Sequence, residues 1–92
     1  MKNAELAKVF WELADLLEYK GENPFKLNAY RKAGRVMEDL TEDVEVLAQA
    51  GRLRELPGIG EAIAKKIVEY LETGKMKRYE EAKEGVPSGL LD

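Results

Sequence analysis

The sequence predicts an all-α domain of four to five compact helices that includes one helix-hairpin-helix motif. Three observations support this. Apolar residues recur at helical spacing in separate segments bounded by glycine, proline or asparagine. No stretch alternates apolar and polar residues as a half-buried strand would. ELPGIGEAIAKKI, residues 55–67, sets two glycines and a proline directly before a helical segment. The chain of 92 residues is expected to form one domain by length, with residues 1–85 as its body and 86–92 as a truncated linker tail.

The first helix is expected over Asn3 to Tyr19, where Leu6, Val9, Phe10, Leu13, Leu16 and Leu17 form one apolar face. Gly21 suits its C-terminal cap, and Asn23-Pro24 opens a second helix running to Asp39. Leu27, Tyr30, Ala33, Met37 and Leu40 point inward from that helix. Thr41 is the expected N-cap of a short helix from Glu42 to Ala50, with Val44, Leu47 and Ala48 inward and Gly51 as its stop. Arg52–Leu56 leads into Pro-Gly-Ile-Gly and a helix from Glu61 to Glu72, with Ile63, Ile67, Tyr70 and Leu71 inward. Thr73-Gly74 closes it, and Lys75–Glu84 reads as a last short helix. The tail GVPSGLLD ends on an apolar Leu90-Leu91 pair.

Composition narrows the chemistry. With 45% apolar and 36% charged residues, the chain is a folded, water-soluble protein. It has no cysteine and no histidine, which removes disulfides, thiolate metal sites and imidazole catalysis. No apolar run reaches the eighteen or so residues of a membrane span, and no signal peptide opens the chain, so a cytoplasmic protein without a membrane partner is expected. The net charge of −3 opposes indiscriminate nucleic-acid binding. Charge is nevertheless sorted along the chain. Residues 23–35 carry Lys26, Arg31, Lys32 and Arg35 and no acid, whereas 36–50 carry Glu38, Asp39, Glu42, Asp43 and Glu45 and no base. A second basic cluster, Lys75, Lys77 and Arg78, follows the hairpin helix.

The hairpin has a specific chemistry. Pro57 sets the turn, Gly58 tolerates positive φ, and Gly60 removes a side chain where a phosphate would approach. Ile59 anchors the turn in the core. Free N–H groups then lie at the start of the following helix, whose dipole also favours an anion. Such a motif grips a DNA backbone without reading bases.

NPFKLNAYRKAGRVMEDL followed by LPGIGEAIAKKIVEYLETGK resembles the amino-terminal, lyase-type domain of family X DNA polymerases, and the resemblance covers nearly the whole chain. It implies a helical domain that binds the 5′-phosphate side of gapped DNA, with Lys26, Asn28, Tyr30, Arg31 and Lys32 matching DNA-contacting positions beside Gly58 and Gly60. It implies a Na⁺ or K⁺ held by the backbone carbonyls of Arg54, Leu56 and Ile59, and no other cofactor. In members with lyase activity one lysine of the hairpin helix attacks the abasic sugar, and the matching position is Lys66. That attack needs a neutral amine, favoured by desolvation or cationic neighbours. Lys65, with Glu61 and Glu69 four residues to either side, reads as a surface ion-pair lysine. Two positions depart from lyase-competent members: Phe25 stands in place of a histidine, and Ala62 in place of a phosphate-binding lysine. Efficient lyase chemistry is therefore not expected, and no polymerase activity resides in this segment.

Three residues break the helical pattern. Trp11 falls about 155° from the centre of the first apolar face and is expected to point into water near Ala7 and Ala14. Val46 faces away from Val44 and Leu47. Gly34 interrupts a helix at a cost of about 1 kcal/mol relative to alanine, which suggests room for a bulky neighbour. These positions raise an alternative reading, an engineered or designed module that binds a protein partner on the first-helix surface through Trp11 and Val46.

Overall fold

The computed structural model describes residues 1–87 and Gly89; the Leu90-Leu91 pair lies outside them. Every regular element among the described residues is helical: α1 (Asn3–Tyr19), α2 (Pro24–Asp39), α3 (Val44–Gln49), a 3₁₀ turn (Leu53–Glu55), α4 (Glu61–Thr73) and α5 (Lys77–Lys83). No helix among them is long and apolar enough to cross a membrane.

The first helix is the axis of the core. Leu6, Phe10 and Leu13 are wholly buried, and Leu16 and Leu17 nearly so. Ala7 and Ala14, on a different side of α1, are buried as well. This helix therefore buries more than the single stripe of about 100° that the spacing of its large apolar residues suggests. The wider burial reverses the expectation for Trp11. Its indole is half-buried against Gly34 of α2, where an added Cβ would lie 3.1 Å from Cε2 and Nε1 of the ring. The indole N–H donates to the Glu38 carboxylate at 3.1 Å. Gly34 is thus small because Trp11 lies over it, as the mid-helix glycine suggested. With its ring against α2, Trp11 is not the outward anchor that the protein-binding reading required. Val46 does face outward, 58% exposed.

Local chemistry sets the element boundaries. At the end of α1, Gly21 takes φ +77°, and the Glu22 N–H reaches back to the Leu17 carbonyl at 2.9 Å, the glycine-terminated closure expected there. The Asn23 side chain accepts the Phe25 N–H at 2.8 Å and caps α2. The third helix starts later than expected. Asn3, 4% exposed, donates to the carbonyls of Leu40 (3.3 Å) and Glu42 (2.6 Å) and accepts the Val44 N–H (2.9 Å), which holds 40–43 as a loop. Asp43, not Thr41, is the cap, accepting the Glu45 N–H at 3.0 Å. The last helix likewise begins at Lys77. Its N–H donates to the Glu69 carboxylate of α4 at 3.1 Å, while buried Met76 enters the core in extended backbone.

Candidate nucleic-acid interface

The hairpin turn runs from the 3₁₀ turn through Pro57–Gly60 into α4. Gly58 adopts φ +81°, the left-handed conformation for which glycine is suited, and Ile59 is 3% exposed, seated in the core. Gly60 caps α4 with extended backbone, and nothing lies within 4 Å of where its Cβ would be. The N–H groups of Gly60, Glu61, Ala62 and Ile63 have no acceptor among the described residues, as the open start of a helix requires. Positive dipole and free donors coincide there. Glu61 also sits in that first turn, where it is tied to Lys65 at 3.3 Å.

One basic residue of α2, Lys32, meets this turn. The Lys32 side chain lies directly across Gly58: a Cβ on that glycine would be 2.7 Å from Lys32 Cγ. Any side chain at position 58 would displace Lys32, so the glycine serves both the turn and the packing of the lysine. Tyr30, 8% exposed, stacks on Phe10 with ring centroids 6.3 Å apart, and Lys66 Nζ of α4 stands 5.9 Å from the Tyr30 ring centroid. Lys66 has no carboxylate within ion-pair distance among the described residues, whereas Lys65 is paired as expected. Tyr30 is thus a core aromatic at the foot of the site.

Sequence spacing did not reveal two further features. Lys77 and Arg78 of α5 line an open cleft with Ala62, Lys65 and Lys66 of α4, so the second basic cluster faces the hairpin helix. Arg78 and Lys26 also converge on one carboxylate, Glu22, at 3.5 and 3.9 Å. The Asn23 N–H, then Lys26 and Arg78, hold that carboxyl below the usual range. The signal that could have located Arg78 was the charge run itself, but its partner across the turn is set by tertiary packing. Conversely, Arg31 turns toward α1 and pairs with Glu18 at 3.1 Å and Asp15 at 4.0 Å, away from the hairpin lysines. Asn28 and Phe25 are exposed, Phe25 by 84%.

The carbonyl set suits a monovalent cation by chemistry. Those of Arg54 and Ile59 accept no hydrogen bond among the described residues, and that of Leu56 accepts one, from the Ile59 N–H at 3.1 Å. Spare lone pairs on neutral carbonyl oxygens are the donors that Na⁺ and K⁺ take. Among the described residues no group of three or more acidic side chains is arranged to hold a metal ion.

A short helical arm, a glycine turn with a buried isoleucine and a second helix with open amides define a helix-hairpin-helix domain. Residues 1–76 match the family model described as helix-hairpin-helix domain, and the chain belongs to that family. It is also 33% identical over 91 residues to the DNA polymerase/3′-5′ exonuclease PolX of Bacillus subtilis strain 168, so it is a helix-hairpin-helix domain of the family X polymerase type. The match covers 99% of this chain and 15% of that relative.

Proposed function

We propose that this domain binds DNA through its phosphate backbone, gripping the 5′-phosphorylated side of a gap at the hairpin turn. The observation that carries this reading is the packing of Lys32 across Gly58. It joins the cationic face of α2 to the open amides of α4, so that one phosphate can meet both. Lys66 and Arg78 continue the surface along the cleft, and Lys26 flanks it. The resemblance to a family X polymerase supports the ligand class, and a Na⁺ or K⁺ on the hairpin carbonyls would stiffen the turn. Amides and lysines that meet phosphates carry no sequence information, so binding indifferent to sequence is expected.

Titration of a fluorescent gapped duplex, with and without the 5′-phosphate, tests the reading. Binding at low salt with preference for the phosphorylated end is expected; equal, salt-insensitive or absent binding would overturn it. For Lys66 we propose backbone contact without efficient lyase chemistry, because Ala62 and Phe25 stand where lyase-competent members of the family carry a phosphate-binding lysine and a histidine. Borohydride trapping on a 5′-abasic flap should then give no appreciable adduct. A strong adduct that disappears in Lys66→Ala would overturn this part.

A further inference from the structure

The other side of α4 forms a second groove, with α3 as its opposite wall. Ala48, Val68 and Leu71 make its half-buried apolar floor, and Glu45 and Glu72 stand at its rim with Gln49. No base lines it, and neither rim carboxylate has an ion-pair partner among the described residues. Val68 lies two residues beyond Lys66, about 200° round the helix, so the groove faces away from the Lys66 surface.

We propose that this groove docks the apolar face of a basic amphipathic helix from a partner protein. The volume of the groove, about 200 Å³, falls below the roughly 300–1,000 Å³ of small-molecule sites and suits a few side-chain anchors. Two helices forming the walls of an apolar trough are the setting in which a third helix inserts residues spaced i, i+3 or i+4, and i+7. Charge decides which helix. Glu45 belongs to the base-free stretch 36–50 and Glu72 of α4 adds a second acid at the rim, so lysine or arginine flanking the apolar anchors would find unpaired partners. An acidic helix or a nucleic-acid backbone would meet like charge. The occupant and the DNA would lie on opposite sides of α4, and the proposal stands independently of DNA binding.

The test uses the whole ¹⁵N-labelled chain and designed helical peptides of about 18 residues, long enough to hold helix in isolation. One peptide carries leucine at i, i+3 and i+7 flanked by lysine. A second replaces each lysine with glutamate, and a third scrambles the leucine spacing. Saturable shifts centred on Glu45, Ala48, Val68, Leu71 and Glu72 are expected with the first peptide, at least about tenfold weaker binding with the second, and none that saturates with the third. The double variant Glu45→Lys/Glu72→Lys should reverse the charge preference, and Glu45→Gln/Glu72→Gln should abolish it if the reversal proves unstable. Lys66→Glu should leave peptide binding intact, which separates failure here from failure of the DNA reading. Equal binding of the first two peptides, saturation by the scrambled one, or shifts confined to Lys65, Lys66, Lys77 and Arg78 would overturn the proposal.

Discussion

The α4–α5 cleft and the α3–α4 groove share one helix, yet Lys65, Lys66, Lys77 and Arg78 line the first and no base lines the second. The cleft also contains Glu61, Glu69 and Glu81, so its character depends on which charges are free. Glu61 is occupied by Lys65, and Glu69 by the N–H of Lys77. Lys66 is left facing only the Tyr30 ring. In the groove the acids have no such partners. A net charge of −3 therefore describes neither surface: among the described residues, pairing within the fold leaves Lys66 and Lys77 beside one unpaired carboxylate, Glu81, on one side of α4, and carboxylates alone on the other.

Salt offers the largest lever on this contrast. With two phosphates neutralised by Lys32 and Lys66, and up to two more where Lys26 and Arg78 exchange Glu22 for phosphate, raising salt from about 50 to about 200 mM should weaken DNA binding roughly 12- to 150-fold. Charge reversal at Glu45 and Glu72 should leave that slope unchanged. A slope that moved with the groove acids would mean that the two faces act as one field.

Single charges come next. Lys66→Ala should lower the salt slope by about one phosphate equivalent and weaken DNA binding several-fold, without moving Tm appreciably. Arg31→Ala is the informative control. Its guanidinium is held by Glu18 and Asp15, so a smaller change in DNA affinity is expected than for Lys66→Ala. An equal or larger loss would show that Arg31 leaves α1 when DNA binds.

The two hairpin glycines separate turn geometry from phosphate access. Gly58→Ala places a Cβ in left-handed backbone and against Lys32, so a loss of about 1–2 kcal/mol of stability is expected together with weaker binding. Gly60→Ala has ordinary φ and open space, and should change stability by at most about 0.5–1 kcal/mol through the poorer cap while still hindering a phosphate at the amides. Urea denaturation beside DNA titration distinguishes them. Unchanged DNA affinity in Gly60→Ala would place the phosphate elsewhere.

Much of this was legible in the sequence because it was local. Helices α1 and α2 have the expected bounds, as Gly21 closes the first, Asn23 caps the second and each has a continuous apolar stripe. The turn glycines could be read because Gly58 needs positive φ and Ile59 needs the core. What escaped depends on contacts far apart in sequence. The start of α3 is set by Asn3, about forty residues away, and the fate of Trp11 by Gly34 and Glu38. A helical wheel assumes one buried stripe, and α1 has neighbours on more than one side. The same limit hid the pairing of Arg31 and the convergence of Lys26 and Arg78 on Glu22.

The smallest expected effect concerns the helix both grooves share. Tyr70 of α4 donates its hydroxyl proton to the Glu5 carboxylate of α1, a bond that fixes α4 rather than either face. Burial and then Glu5 push the Tyr70 hydroxyl up to about 12, and the bond from Tyr70 holds the Glu5 carboxyl below its ordinary range. For Tyr70 the folded value exceeds the unfolded one, so its contribution is complete below about pH 10 and lost as pH rises toward 12. For Glu5 the folded value is depressed, so its contribution is complete above the ordinary carboxylate range and lost as pH falls through it. The Tm difference between the parent chain and Tyr70→Phe should therefore be constant from about pH 6 to 9 and shrink at both ends. The Tyr79 hydroxyl, bound to Glu12 and likewise raised, remains in both proteins and cancels from that difference. A difference that persisted at pH 12 would mean that Tyr70 contributes through ring packing alone. Because this bond fixes α4 as a whole, losing it should weaken DNA and peptide binding together, unlike the charge variants, each of which acts on one face.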